Sequence, residues 1–294
     1  VKVGAREVLV PDGRKLAVWV DGEGDDFVLF HSGTPEGGAM DMYRARTEAA
    51  AERGLTCIGY SRPGYPYSDR HPGRRIVDCA DDVLAIVDAL AIDSFFTIGW
   101  SGGGQHALAC AARLGDRVRV AATVGSNAPR RADGLDWYAG MGAENVAEFG
   151  AAEEGLSALE EYLECEAAKW RTAEPEDVFI HFAGLLPDDA RQTMSVEELR
   201  IVIASMRKAV GTGIWGWFDD DMATVADWGF DPAKIEIPVM VWHGGKEDKF
   251  IPSAHGEWLV EAIPNATPCF RPAADHLRMA TSYGEIFDSI VAEG

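Results

Sequence analysis

Apolar positions along this chain follow two rhythms, and their alternation predicts the architecture. Two alternating runs, Glu7 to Val10 and Lys15 to Val20, flank the turn residues Pro11-Asp12-Gly13-Arg14 and predict an opening β-hairpin. Short apolar strands are then expected at Phe27 to Phe30 and Thr56 to Tyr60, with a helical stretch around Met42 to Arg53 between them. Val83, Ile86, Val87 and Leu90 recur at i, i+3, i+4 and i+7, the spacing of an amphipathic helix. A further strand enters at Phe96, a small-residue helix over Gln105 to Leu114 ends near Gly115, and another strand covers Val118 to Val124. The strand rhythm then breaks near Asn127-Ala128-Pro129. From about Arg131 to Asp227 acidic helical stretches replace it, among them Ala151 to Trp170 and Val196 to Ala209. Strands return at Ile237 to Trp242 and Ala266 to Phe270, and a last helix closes the chain.

Strands alternating with helices pair in parallel through right-handed crossovers, so an α/β fold is expected, with a mostly parallel sheet and helices on both faces. The strandless stretch reads as an insertion. We therefore expect one core domain built from 1–130 and 228–294, with a helical cap over 131–227. A chain of 294 residues with 47% apolar content is long enough for that plan.

Charge and cysteines narrow the function classes. A formal net charge of -21 repels phosphate backbones and anionic headgroups, which argues against nucleic-acid and membrane partners and for solubility. No apolar run is long enough to span a bilayer and the first residues lack a signal-peptide core, so a cytoplasmic protein is expected. The five cysteines are scattered without C-x-x-C spacing and read as reduced core thiols. Oligomeric state leaves no trace in these patterns.

The candidate chemistry centres on Gly99-Trp100-Ser101-Gly102-Gly103, a G-x-S-x-G pattern between a strand and a helix. Such a sharp turn strains the serine backbone, and Gly99 and Gly103 let strand and helix approach without a Cβ clash. Gly102 presents its N–H at a helix N-terminus, where a developing oxyanion is favoured. A serine hydroxyl needs a base and an acid to orient that base. Of the seven histidines, His276 lies just past the last strand, where a loop can reach the turn. Asp248, after the strand ending at Trp242, is the preferred acid, with Glu247 as the adjacent alternative.

These residues together resemble the α/β-hydrolase superfamily, and the resemblance spans essentially the whole chain. The order Ser101, Asp248, His276 matches the family order of nucleophile, acid and base. Asp248-Lys249-Phe250-Ile251-Pro252 is similar to the family's Asp two residues before a hydrophobic-Pro pair. The loop His31-Ser32-Gly33-Thr34-Pro35 resembles the family's H-G-x-P oxyanion loop, with Ser32 where the histidine usually sits. By that likeness the backbone N–H of Thr34 joins Gly102 as the second oxyanion donor. Tyr60-Ser61-Arg62-Pro63-Gly64-Tyr65 looks like the family's D-x-R-G-x-G turn, normally structural. The resemblance implies acyl transfer by a Ser-His-Asp triad, without metal or organic cofactor, on a small to medium ester or amide.

Trp100, His31 and Gly33 are the candidates for contact with substrate. His106 and His243 read as packing or supporting groups, and the run Asp219-Asp220-Asp221 reads as helix N-capping rather than a cation site. Most large apolar groups in the inserted stretch, from Trp137 to Trp228, are expected to form its own core or its seam with the sheet domain, and a few to line a pocket between cap and core, which suits a small to medium acyl substrate. The alternatives are an aminopeptidase-like enzyme, a C–C bond hydrolase, or a ligand-binding protein of the same fold without turnover.

Overall fold

The computed structural model describes residues 4–36, 44–245 and 248–294. Its frame is an eight-stranded sheet in the order β1-β2-β4-β3-β5-β6-β7-β8. The strands are β1 Gly4–Leu9, β2 Lys15–Asp21, β3 Asp26–His31, β4 Leu55–Tyr60, β5 Phe95–Trp100, β6 Val118–Val124, β7 Val239–Gly244 and β8 Ala266–Arg271. β1, β2 and β4 pair antiparallel, and every pairing from β4 through β8 is parallel. The opening hairpin turns where Gly13 takes φ +90 and the Asp12 carboxylate accepts the Arg14 N–H at 3.0 Å.

Both faces of the sheet are covered. Helix α1 (Arg44–Ala51) packs one face together with α11 (Tyr283–Glu293), where Ile286, Phe287 and Ile290 meet Phe30, Phe96 and Ile98. Helices α2 (Cys79–Ala89), α3 (Gly104–Arg113) and α10 (Ser253–Ala262) pack the other face, where Val83, Ile86, Leu108 and Leu259 meet Leu29, Ile58 and Val241. Strand β2 shows the period-2 logic: Leu16 and Val18 enter one core while Ala17 and Trp19 enter the other. A sheet buried on both sides explains the continuous apolar runs of β4 and β7, which are buried throughout. Each side chain buried as fully as Ile86 stabilises the fold by about 1.5–3 kcal/mol.

Between β6 and β7 lie α4 (Ala143–Glu154), α5 (Leu156–Thr172), α6 (Val178–His181), α7 (Ala190–Thr193), α8 (Val196–Ala209) and α9 (Trp215–Val225). They share a separate core that includes Leu159, Leu163, Trp170, Ile203, Met206 and Trp217. Phe250 and Leu277, from the loops after β7 and β8, pack against that core from below. The expected helix over 151–170 is two helices, because Gly155 at φ +131 ends α4 and opens α5. Helix α8 begins on a capping box: the Ser195 hydroxyl accepts from Glu198 N while the Glu198 carboxylate accepts from Ser195 N.

Candidate active site

The parallel strands place their C-terminal ends on one rim, where α/β sheets bind ligands. Strand β5 delivers Ser101 there at φ +55, the left-handed region that a non-glycine residue enters only under constraint. The constraint is close packing. A Cβ at Gly99 would lie 2.2 Å from the Gly103 carbonyl oxygen, and one at Gly103 would lie 2.2 Å from that of His31. One at Gly104 would lie 1.6 Å from Ser126 Oγ, a hydroxyl that donates to the Ser101 carbonyl at 2.8 Å. The glycines therefore let β5, β3 and α3 meet, and the serine is what projects.

The loop after β8 carries His276, and the loop after β7 carries Asp248. His276 Nδ1 stands 3.0 Å from Asp248 Oδ2, and the other Asp248 oxygen accepts the Ile251 N–H at 2.9 Å. Burial opposes the charge on Asp248, but the His276 imidazole and these hydrogen bonds hold its carboxyl below the usual carboxylate range. The His276 ring is stacked between two aromatic rings, Phe250 at 4.8 Å and Trp100 at 5.5 Å between centroids. Gly125, at φ +57, leaves room for the imidazole, since a Cβ there would sit 3.1 Å from it. Among the described residues no hydrogen bond links His276 to Ser101. The two side chains are walls of one cavity of about 180 Å³. Glu247, the alternative acid, lies outside the described residues.

Gly33, Thr34, Trp100 and Gly102 line the same cavity. A Cβ on Gly102 would lie 3.4 Å from Thr34 N, so the two backbones face one another at the floor. His31 is placed differently from the expectation that it contacts substrate. Strand alternation turns it away from the rim, to the face that α3 covers. There it is fully buried, with Nδ1 3.1 Å from the Tyr60 hydroxyl and Nε2 3.1 Å from Thr97 Oγ1. Burial pushes its pKa well down, so it is a neutral packing group. His243 is likewise buried and supports the acid loop, its Nε2 lying 2.8 Å from the Ile251 carbonyl oxygen.

The Asp219-Asp220-Asp221 run also departs from expectation. It lies inside α9 rather than at its N-terminus, and all three aspartates are buried. Successive helical residues point about 100° apart, so each meets a different environment. Asp219 pairs with Arg70 at 2.7 Å. Asp220 receives Arg62 at 2.5 Å, Arg74 at 2.6 Å, the Tyr65 hydroxyl at 2.8 Å and the Thr34 hydroxyl at 2.9 Å. Burial disfavours its charge, yet Arg62 and Arg74 hold the Asp220 carboxyl well below the ordinary range. Arg62 in turn donates to the carbonyls of Ser32 and Gly33. Helix α9 thus holds the loop that bears Thr34 through a buried ion-pair network. Asp221, lastly, lines the cavity.

These positioning groups were not foreseen from the sequence. The available signal was three acids inside an otherwise apolar helical stretch, which asks for cations elsewhere in the chain to meet them.

Comparison with known proteins agrees with this fold. A family model described as the alpha/beta hydrolase fold matches residues 26–157. A 2-hydroxy-6-oxononadienedioate/2-hydroxy-6-oxononatrienedioate hydrolase of Comamonas testosteroni is 24% identical over 87% of this chain and 82% of its own. Among solved structures, a thermophilic esterase from Thermogutta terrifontis superposes with a TM-score of 0.72 at 17% identity, covering 98% of this chain and 97% of that one. The enol-lactonase from Burkholderia xenovorans LB400 gives 0.70 at 20% identity, covering 98% and 99%.

Proposed function

We propose that this chain, which belongs to the α/β-hydrolase superfamily, is a serine hydrolase that cleaves a small to medium carboxylic ester or amide through an acyl-enzyme. The observation that carries the reading is the strained Ser101 at φ +55, opening into one cavity with a His276 whose far nitrogen is held by Asp248 at 3.0 Å. Ser101 Oγ attacks the carbonyl carbon while His276 Nε2 takes its proton, and Asp248 orients the ring and stabilises its cation. The tetrahedral oxyanion forms against the N–H groups of Gly102 and Thr34, where losing one donor costs about 3 kcal/mol of barrier. His276 returns the proton to the leaving group. Water, activated by the same nitrogen, then releases the acid. In this reading 131–227 is a cap closing over a core of 1–130 and 228–294, and no cofactor takes part.

A C–C bond hydrolase reading is favoured by the relative from Comamonas testosteroni, but its named substrate is a dioate and so carries two negative charges. Five acidic side chains, Glu36, Glu144, Glu148, Glu166 and Asp221, line the cavity, and among the described lining residues there is neither lysine nor arginine. Such a lining offers a dianion no cationic partner. An ester or amide without acidic groups fits it better.

The test is a panel of p-nitrophenyl esters of graded chain length and aminoacyl anilides, run on wild type and Ser101→Ala. Turnover by wild type and its loss in the variant are expected. Equal rates for the two proteins would remove Ser101 as nucleophile, and tight binding without turnover by wild type would replace the enzyme reading with a ligand-binding one.

A further inference from the structure

The loop that bears Thr34 is gripped on two flanks, and each grip falls on a particular peptide. The Ser32 and Gly33 carbonyls both accept from the Arg62 guanidinium, the latter at 2.7 Å, and the Thr34 hydroxyl donates to Asp220 on that same flank. Planarity of the trans peptide turns an N–H away from the C=O it is joined to. The Gly33 N–H therefore faces the opposite flank, and there it donates to Glu36 Oε2 at 2.7 Å. The next peptide is held at its Gly33 carbonyl alone. Its N–H, that of Thr34, has no acceptor among the described residues.

The grip by Glu36 is a costly one, which marks it as more than packing. The side chain is 4% exposed, and its other oxygen, Oε1, has no hydrogen-bond partner among the described residues. A carboxyl buried for one hydrogen bond costs more than an apolar group of the same size would. Arg46 and Arg62, both buried, are the cations that act on it, and the Tyr283 phenol lies within electrostatic reach. Burial pushes Glu36 up to about 7 against the pull of Arg46, so near neutral pH an oxygen that accepts without a full charge is enough to hold Gly33. Glu36 also sits close to the chemistry. A Cβ on Gly33 would lie 3.4 Å from Ser101 Cβ and 3.6 Å from Glu36 Oε2.

We propose that Glu36 is a positioning residue for acyl transfer: by holding the Gly33 N–H it keeps the loop from pivoting about its Arg62 anchors, and so aims the Thr34 N–H at the oxyanion. Anchors on one flank leave a loop free to swing about the line that joins them. An anchor on the opposite flank stops that swing, and oxyanion donors act only when they are aimed in advance. The inference rests on the serine hydrolase reading, and Glu36 acts through Thr34 rather than on the substrate.

The test separates reach from charge. Glu36→Asp keeps the charge and withdraws the oxygens by one methylene, whereas Glu36→Gln keeps the oxygen and drops the charge. On the p-nitrophenyl ester that wild type turns over fastest, Glu36→Asp should lower kcat by about 10- to 100-fold with KM within about threefold, and Glu36→Gln should recover kcat to within about threefold of wild type. The reverse order, or equal rates in the two variants, overturns the proposal. Should Glu36→Asp not fold, a loss of about tenfold or more in Glu36→Gln overturns it by itself. Hydrogen exchange of the Gly33 amide, followed by NMR, reads the grip without turnover: it should be about tenfold or more faster in Glu36→Asp and within about threefold of wild type in Glu36→Gln. Unchanged exchange in Glu36→Asp overturns the proposal even where the kinetics agree. Absence of turnover by wild type, or its survival in Ser101→Ala, counts separately, against the hydrolase reading.

Discussion

The rim at the end of β5 and the buried face of α9 treat a buried aspartate in opposite ways. Asp248 is 1% exposed and is engaged by one imidazole and one backbone N–H, so the side chain it holds remains free to use a second nitrogen for chemistry. Asp220 is fully buried and saturated by two guanidiniums and two hydroxyls, leaving nothing over for a substrate. Equal burial thus serves reaction in one place and rigid positioning in the other. What separates them is the number of donors, together with whether a partner faces the cavity. Asp221, one residue on, is a third case, a buried carboxyl paired with another, Glu148, so that burial and the like charge beside it push it up from the usual carboxylate range.

The comparison breaks first at the rim. Ser101→Ala should lower kcat/KM by about 10⁴- to 10⁶-fold with an unchanged melting curve, since residues acting as a unit lose nearly everything together. Asp248→Asn should cost about 10⁴-fold by leaving the imidazole in the wrong tautomer, whereas Glu247→Gln should fall by less than about threefold. The reverse ranking of these two variants would transfer the acid role to Glu247.

At α9 the largest effect should be on stability. Asp220→Asn strands Arg62 and Arg74, and urea unfolding should show a loss of about 3–5 kcal/mol. The folded Asp220 carboxyl is held below its ordinary range, so its contribution is present above that range and lost as pH falls through the folded value. The stability gap between wild type and Asp220→Asn should therefore narrow on acidification. A gap that widened toward low pH would contradict the network drawn here. The smallest effect belongs to the ring stack: Phe250→Leu removes one face of the His276 sandwich, worth about 0.5–1.5 kcal/mol, and should slow kcat/KM by roughly two- to tenfold.

Much of this was legible in the linear chain. The span Val118 to Val124 is a strand and Val196 to Ala209 a helix at the predicted residues, because patterning there agrees with local propensity and capping. The break at Gly155 was missed, since a single glycine inside an apolar helical pattern reads equally well as tolerated. His31 was misjudged because a histidine ending a strand can face either the rim or a sheet face, and only the pairing register decides which.

The sequence by itself determined the order of elements and the strained serine turn, for both follow from side-chain periodicity and from glycine's freedom, which act over a few residues. It also carried Ser101, Asp248 and His276 in an order that points to one chemistry. Tertiary structure alone decided that three adjacent aspartates would have three different roles, and that Arg62, Arg74 and Thr34 would meet one of them. Ionisation and hydrogen bonding depend on burial and on partners as much as 186 residues away along the chain, and no local pattern records which groups folding brings within 3 Å.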